Sequence, residues 1–503
     1  MTASVTACAP SAYRISPRDD VAIALRDLAA GEQIRVGEQQ ITLRDAIPFG
    51  HKFAVREIAA SQPVCKYGWP IGRAKSDIAI GAHVHVHNVA TRLAGLDEYR
   101  YEAASADSAP IPAPANTFMG YRRANGRVGT RNEIWILCTV GCVGRTAERI
   151  ARLAASRFAG RVDGIHAFPH QFGCSQLGGD LDRTRRLIAA LARHPNAGGV
   201  LIVGLGCESN QLDKLLAGIP EEERQHIRSF SAQATGDETE AGLQAVEALV
   251  QLAEQAKREP CGLSELTIGL KCGGSDGFSG ITANPLVGRI ADRVTAAGGA
   301  AILTEIPEVF GAERLLMQRA ANEQVFKGIV SVVNDFKDYF LRNDQPVSEN
   351  PSPGNIAGGI TTLEEKSLGA VQKGGHATVT QVVRYAERCN VPGLTLLEAP
   401  GNDGVSSTAL VAAGATLVLF TTGRGTPLGF PAPTLKISTN SALARNKPHW
   451  IDFDAGRLLA GEDSDAITEE FLQLVIATAS GQSAKNELNE EREIAIWKDG
   501  VTL

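Results

Sequence analysis

The sequence predicts a multidomain α/β protein: a small β-rich module at the N-terminus, then two larger regions built on mainly parallel sheet. Three observations carry this. The chain has 503 residues, several times the size of one ordinary domain. Its first hundred residues repeat a short β-type motif, and beyond Phe118 short apolar runs alternate with helical stretches, the pattern of βαβ units.

The repeat opens the chain. "DLAAGEQIRV" from Asp27, "EIAASQPVCK" from Glu57 and "DIAIGAHVHV" from Asp77 share an acidic start, a short apolar turn and a β-type run. Aligned, they place Val84 with Ile34 and Val64, so the valines of the third copy are expected to look inward and its histidines outward. This module spans residues 1–102. Residues 103–117, "AASADSAPIPAPANT", are too poor in bulky apolar residues to order themselves and read as a linker.

A middle α/β region, 118–258, follows, with "EIWILCTV" leading into "GRTAERIARLAASR" and "GGVLIVGLG" preceding "QLDKLLAGI". The charged Pro/Gly stretch "QAKREPCGL" interrupts the alternation near 255–263. In the last region, 259–503, "LTIGLKC" precedes "NPLVGRIADRVTAAGG", and further strands are expected at "AAILTEI", "LTLLEAP", "TLVLFTTG" and "APTLKIS".

Composition bounds the function. Apolar residues make up 44% and charged residues 21%, and 50 basic against 56 acidic residues give a formal charge of -6. That balance offers no electrostatic case for nucleic acid or an anionic membrane and favours a small-molecule ligand. The N-terminal stretch lacks the apolar core of a signal peptide, and runs such as "GGVLIVGLG" are too short to cross a bilayer, so a cytoplasmic protein is expected. The nine cysteines, an odd number spread over a long chain, suit reduced thiols or metal ligands better than a disulfide framework.

Two features carry chemistry. "GAHVHVHN", Gly81–Asn88, places His83, His85 and His87 at every second position. In an extended strand they would share one face, with the Cα atoms of His83 and His87 about 13 Å apart, so one metal ion could not take all three. A proton-transfer strand contacting substrate, an adjacent-pair metal site and a solvated strand all fit.

The second feature is four cysteines, each closing an expected strand and opening a loop: Cys142, Cys174, Cys207 and Cys272. Ligands of open α/β sheets collect at the carboxyl ends of strands, and soft thiolates there favour iron, Fe–S clusters, zinc or copper. Burial as a small hydrophobe is the structural alternative for each. Polar residues share these loops: Ser275, Asp276 and Asn284; Glu305 and Glu308; Asn402 and Asp403, any of which could instead cap a helix. Arg424 sits in a glycine-rich turn suited to capturing a carboxylate. No phosphate-binding or dinucleotide-binding glycine fingerprint occurs in the right context.

"KYGWPIG", "HVHVHN", "YRRANGRVGTRNE", "GLGCE", "CGGSDGFSGITANP", "TEIPEVFGAE", "GGITTLEEKSLG", "APGND", "TGRGTP" and "HWIDFDAG" together resemble the altronate/galactarate dehydratase family, in order from about residue 15 to the end. Phe172, where Tyr is common, and Lys271, where Glu is common, depart from its pattern. The resemblance implies an N-terminal SAF-like β-clip domain, a middle α/β domain through which a homodimer forms, and a Rossmann-like C-terminal domain. It implies a sugar-acid hydro-lyase acting on D-altronate and dependent on iron, as Fe2+ or an Fe–S cluster, with Mn2+ as a substitute. Galactarate or another aldonate or aldarate is the alternative substrate. An inactive sugar-acid-binding protein or an Fe–S electron carrier is the non-enzyme alternative.

On this footing Cys142, Cys174, Cys207 and Cys272 are expected to hold the iron. Arg131 and Arg424 would bind the substrate carboxylate, with His83, Asn88, Ser275 and Asp276 as further substrate contacts. His85 and His87, helped by Lys66, would move protons.

Overall fold

Strands that are apolar along their whole length must be covered on both faces, and "EIWILC" shows how this chain does it. In the computed structural model, which describes residues 10–102 and 115–502, strand Glu133–Cys138 is buried throughout. Ile134 and Ile136 pack with helices Gly144–Arg157 and Glu238–Ala253, whereas Trp135 and Leu137 face the core shared with the C-terminal region. The middle sheet is parallel, in the order Gly164–Phe168, Glu133–Cys138, Ala197–Gly204, Ile227–Ser231.

The N-terminal module consists of short antiparallel strands. Ala12–Tyr13, Val21–Ala24, Lys52–Ala54 and His83–Val84 form one sheet, and Pro63–Lys66, Trp69–Ala74 and Val89–Ala90 another. The echoed segments are structurally equivalent in part. Leu28, Ile58 and Ile78 are buried and make lone bridges, to Ile47 for the first and to each other for the other two. Ile34, Val64 and Val84 are buried as the alignment requires.

Residues 103–114 of the expected linker lie outside the described residues. Where the chain resumes, strand Thr117–Arg122 pairs antiparallel with Glu259–Gly262, so the entry to and exit from the middle region are stitched side by side. The interruption expected near 255–263 is thus itself a strand.

The C-terminal sheet has seven parallel strands in the order Val379–Val383, Gly393–Leu397, Ala300–Leu303, Thr267–Cys272, Leu417–Thr422, Thr434–Ser438, Phe453–Asp454. After Thr267–Cys272 the chain builds outward on one side, then returns to build on the other from Leu417–Thr422. The crevice between these two strands' carboxyl ends is the topological switch point, where open α/β sheets bind ligands. The expected strands after 266 are all present, and Val379–Val383 and Phe453–Asp454 are additional. Among the described residues no helix is long and apolar enough to cross a membrane.

Candidate active site

Glycines shape the switch point. The Gly273 amide donates to Thr421 O at 3.0 Å, and Gly274, at φ +61°, takes the amides of Gly423 and Arg424 on its carbonyl. A Cβ on Gly274 would lie 3.2 Å from that of Arg424. The exposed Arg424 therefore sits directly over the loop that follows Cys272.

Beside that loop lies a dense charge cluster, buried except at Asp403. Lys271 Nζ is bonded to a Glu305 carboxylate oxygen and donates to Asp403 Oδ1 at 2.7 Å. Lys373 Nζ donates to Cys272 Sγ at 2.7 Å and to Glu305 Oε2 at 3.1 Å, and Lys366 pairs with Glu308 at 2.9 Å. Glu305 is held between two lysines by a left-handed backbone, φ +67°, which a non-glycine residue adopts only when its surroundings enforce it.

Burial, with Glu305 and Glu308 alongside, pushes the Cys272 thiol up to about 12, against the pull of Lys373. For Glu308, burial alone would raise the carboxyl's pKa, but Lys366, Lys271 and Lys373 outweigh it and lower it.

Cys272, Glu305 and Glu308 form a group that could hold a metal ion, their donor atoms lying within 4.8 Å of one another. Yet the ammoniums of Lys271, Lys366 and Lys373 already match the charges of Glu305, Glu308 and Asp403, and the thiol stays protonated. A cation would fit this group only with Lys373 displaced and the thiol ionised.

The histidines are arranged differently from an extended strand. Strand His83–Val84 stops at Val84, and His85–Asn88 is a turn: the His85 amide donates to Asn88 Oδ1 at 3.0 Å and Asn88 Nδ2 to His83 O at 2.9 Å. The expected alternation therefore fails after Val84: Val86 is 38% exposed rather than inward, and His87 folds back until its ring centroid is 5.5 Å from that of His83. Asn88 is consumed in holding this turn. A fourth imidazole, His51 just before the neighbouring strand Lys52–Ala54, joins them, its Nδ1 3.1 Å from His83 Nε2.

The histidine face docks on the C-terminal loops of its own chain. His51 Nε2 lies 3.3 Å from Ala357 O and His85 Nδ1 3.1 Å from Thr361 Oγ1. Buried Lys52 donates to Gly359 O at 2.7 Å and Thr361 Oγ1 at 2.8 Å. Glu365 accepts from Lys52 at 3.0 Å, Lys66 at 2.7 Å and the Thr361 amide at 2.8 Å. Desolvation, then the charge of neighbouring groups, pushes His83 down to about 4 and His85 to about 3, so both are neutral at pH 7. Burial likewise pushes Lys52 down to about 8 despite Glu365, whereas at Lys66 Glu365 and Tyr67 together outweigh burial and keep it charged.

The two clusters meet. Consecutive residues Glu365 and Lys366 face the histidine side and the Cys272 side respectively, and the loop after Cys272 links the two sides: its Gly274 carbonyl takes the Arg424 amide, and its Gly277 amide donates at 2.7 Å to Gly358 O, next to the Ala357 carbonyl that His51 meets.

Other expected site residues are placed elsewhere. Arg131 is corrected outright: all five of its N–H donors are used, on Glu487 and the carbonyls of Thr130, Thr478 and Gln482, which leaves none for a substrate. Asp276 is buried and accepts from Ser279, Phe278 N, Thr439 and Asn440, and burial raises its pKa. Ser275 is buried, its carbonyl taking Asn355 Nδ2 at 2.8 Å. Asn402 caps helix Asp403–Ala412, while Asp403 is drawn into the lysine cluster.

Cys142, Cys174 and Cys207 are exposed and lie apart from Cys272, at the carboxyl ends of three adjacent strands of the middle sheet. Their loops are tied together: Gly141 N donates to Phe172 O at 2.9 Å and Asn210 N to Gly173 O at 2.8 Å. Hydrogen bonds, first from the Ser209 backbone, lower the Cys174 thiol's pKa. Among the described residues these thiols do not form a group as tight as that of Cys272.

Sequence reasoning passed over His51, Lys52, Glu365 and Lys373. The run "GGITTLEEKSLG" held Thr361, Glu365 and Lys366, but nothing in its spacing marked Thr361 and Glu365 as partners of residues about 300 positions earlier, or Lys366 as the partner of Glu308.

Neutral imidazoles, buried lysine–carboxylate pairs and an exposed arginine around a switch point define an enzyme that moves protons on a small anionic substrate. Family models agree: residues 10–92 match the altronate/galactarate dehydratase SAF domain, 120–256 the D-galactarate dehydratase/altronate hydrolase second domain, and 263–502 the D-galactarate/altronate dehydratase C-terminal domain. The chain is 51% identical to an altronate dehydratase of Escherichia coli over 97% of its length and 99% of the relative's. It is 50% identical to an altronate dehydratase of Bacillus subtilis over 98% and 100%. A galactarate dehydratase (L-threo-forming) of Escherichia coli is 34% identical over 94% of each chain. The chain belongs to the altronate/galactarate dehydratase family, and it is a hydro-lyase.

Proposed function

We propose that this enzyme dehydrates D-altronate to 2-dehydro-3-deoxy-D-gluconate and water. The observation that carries the substrate is the identity of about half of all residues, end to end, with two altronate dehydratases, against about a third with the galactarate enzyme.

Arg424 would take the substrate carboxylate, which sets C2 toward the histidine turn. A neutral imidazole, His85 or its neighbours His83 and His87, accepts the C2 proton; His51 bonds to His83 and extends the relay. Lys52 and Lys66 act one step behind, holding Glu365 ionised and, through Thr361, orienting His85. The electron pair released at C2 expels the C3 hydroxyl, which leaves as water with a proton, and the resulting enol tautomerises to the 2-keto acid. Negative charge grows on the carboxylate as the C2 proton leaves, and the guanidinium of Arg424 would favour that charge.

For iron, the exposed thiols of Cys142, Cys174 and Cys207 are the better donors: one has a lowered pKa, and their spread suits a multi-iron cluster more than one ion. When bound, iron would supply Lewis-acid polarisation of a hydroxyl. Fe2+ or Mn2+ at Cys272, Glu305 and Glu308 is the second reading, resting on the tightness of that group. We also take the C-terminal domain to be Rossmann-like, the domains to divide near residues 102, 117 and 258, and the protein to be a cytoplasmic homodimer. The eight described cysteines are all free, and Leu153 and Leu252 are exposed on the middle region's helices.

The test is anaerobic, iron-loaded protein incubated with altronate, galactarate and other hexonates and hexarates, with 2-keto acid measured. Altronate is expected to give the highest kcat/KM; no product from it would refute the proposal. Iron content and visible absorption of a Cys142/Cys174/Cys207→Ser variant against Cys272→Ser decide the donors: only the first is expected to lose iron.

A further inference from the structure

Beside the edge strand Val379–Val383 of the C-terminal sheet, a cavity of about 510 Å³ lies between the middle and C-terminal regions. Arg127, Arg185, Arg186, Arg193 and Arg388 line it, and Glu387 is the acidic residue in that lining. Arg185 and Arg186 project from helix Gly178–Leu191; Arg388 comes from the connection between strands Val379–Val383 and Gly393–Leu397.

Arg388 is 8% exposed, yet it makes one hydrogen bond, from Nη1 to Arg193 O at 2.8 Å; its Nε and Nη2 are buried without a partner. Arg185 Nε is also buried and unpartnered, its Nη1 turned to Asp182 at 3.3 Å. Arg127 reaches only the neutral Asn390, at 2.8 Å. The nearby carboxylates are Asp182, Glu223, which is paired with Arg193, and Glu387, which accepts the Arg384 amide at 2.8 Å. Five guanidiniums thus line the cavity with one carboxylate, Glu387.

Burial, then Arg127 and Arg193, push the Arg388 pKa down to about 9. Because a guanidinium stays protonated in proteins, this shift reports a buried cation that Glu223 compensates only in part. Such a group is costly unless a ligand satisfies it.

We propose that this cavity binds a small oxyanion carrying two or more negative charges, either a phosphate ester or a dicarboxylate, on Arg388 with Arg127, Arg185 and Arg186. The ligand would bridge the two regions of the chain, at a site separate from that of the monocarboxylate substrate.

The experiment titrates the full chain with pyrophosphate, inorganic phosphate and malonate at constant ionic strength, by calorimetry and by thermal shift. Saturable binding of at least one is expected, weakened at least about tenfold in Arg388→Gln, as for loss of one charge-assisted hydrogen bond. The exposed Arg186→Gln variant, which has no reason to misfold, is expected to weaken binding in the same direction and to leave altronate turnover without added anion unchanged. Pyrophosphate or phosphate binding more tightly than malonate identifies a phosphate ligand; the reverse order identifies a dicarboxylate. No saturable response at millimolar concentrations, a response that chloride reproduces, or equal affinity in wild type and both variants would overturn the proposal.

Discussion

Glu365 is the residue on which the docking of the N-terminal module turns. Its carboxylate is fully buried, meets two ammoniums at 3.0 and 2.7 Å, and comes from the other end of the chain. Even with it in place, Lys52 falls from the usual 10.5 to about 8, which means that keeping that ammonium charged costs roughly 3 kcal/mol at neutral pH. Glu365→Gln keeps the shape but leaves two buried cations without a counter-charge. Breaking a buried pair in this way destabilises by about 3–5 kcal/mol.

Lys52 can limit the loss by releasing its proton, so the deficit should shrink as pH rises from 7 to 9. The sign follows from linkage: a lysine whose folded pKa lies below its unfolded value binds fewer protons when folded, so its contribution to stability improves as pH rises above the folded pKa. Urea unfolding of wild type and Glu365→Gln at pH 7 and 9 measures both effects. A deficit below about 1 kcal/mol at pH 7, in the range of an exposed pair, or one that does not change with pH, would refute this reasoning.

Three other outcomes are expected. On acidification, stability should fall as pH drops from about 6.5 toward 4, because His83 and His85 are held at about 4 and 3 when folded and the unfolded chain takes up their protons first. His85→Gln should flatten that slope in unfolding midpoints measured between pH 7 and 4.5. Alkylation of folded, iron-free protein at pH 8, followed by peptide mass spectrometry, should modify Cys174 early and leave Cys272 untouched, since one thiol is exposed with a lowered pKa and the other is buried and raised to about 12. Equal rates would contradict that picture. Arg131→Met should cost about 1–3 kcal/mol, through the carbonyls it leaves unbonded and a Glu487 left with Arg492 alone, yet leave KM for altronate unchanged; a raised KM would return Arg131 to the substrate site.

Much of the fold was legible in the sequence because its signals are local. Apolar runs such as "EIWILC" and "LTIGLKC" announce strands buried on both faces, and the threefold echo set the inward phase of Ile34, Val64 and Val84 without any tertiary information. The strand-end positions of Cys142, Cys174, Cys207 and Cys272 were equally readable, since each follows a strand and precedes a glycine-rich loop.

What those positions do was not readable. One pattern of sequence left three thiols exposed at the middle sheet and buried the fourth among Lys271, Lys373, Glu305 and Glu308, because the two sheets are separate and only the C-terminal edge is roofed. Likewise "HVHVHN" looked like a continuous strand, but Asn88 folds it into a turn, an outcome decided by side-chain to backbone bonds that compete with the ladder. Arg131 resembled a substrate clamp and is a domain clamp. The sequence determined the strands, the loops and the kinds of chemistry available, since each depends on neighbours a few residues away. Only the tertiary structure decided which charges meet: Lys52 and Lys66 reach Glu365 across about 300 residues of chain, and no local pattern records a pairing whose energy comes from shared burial.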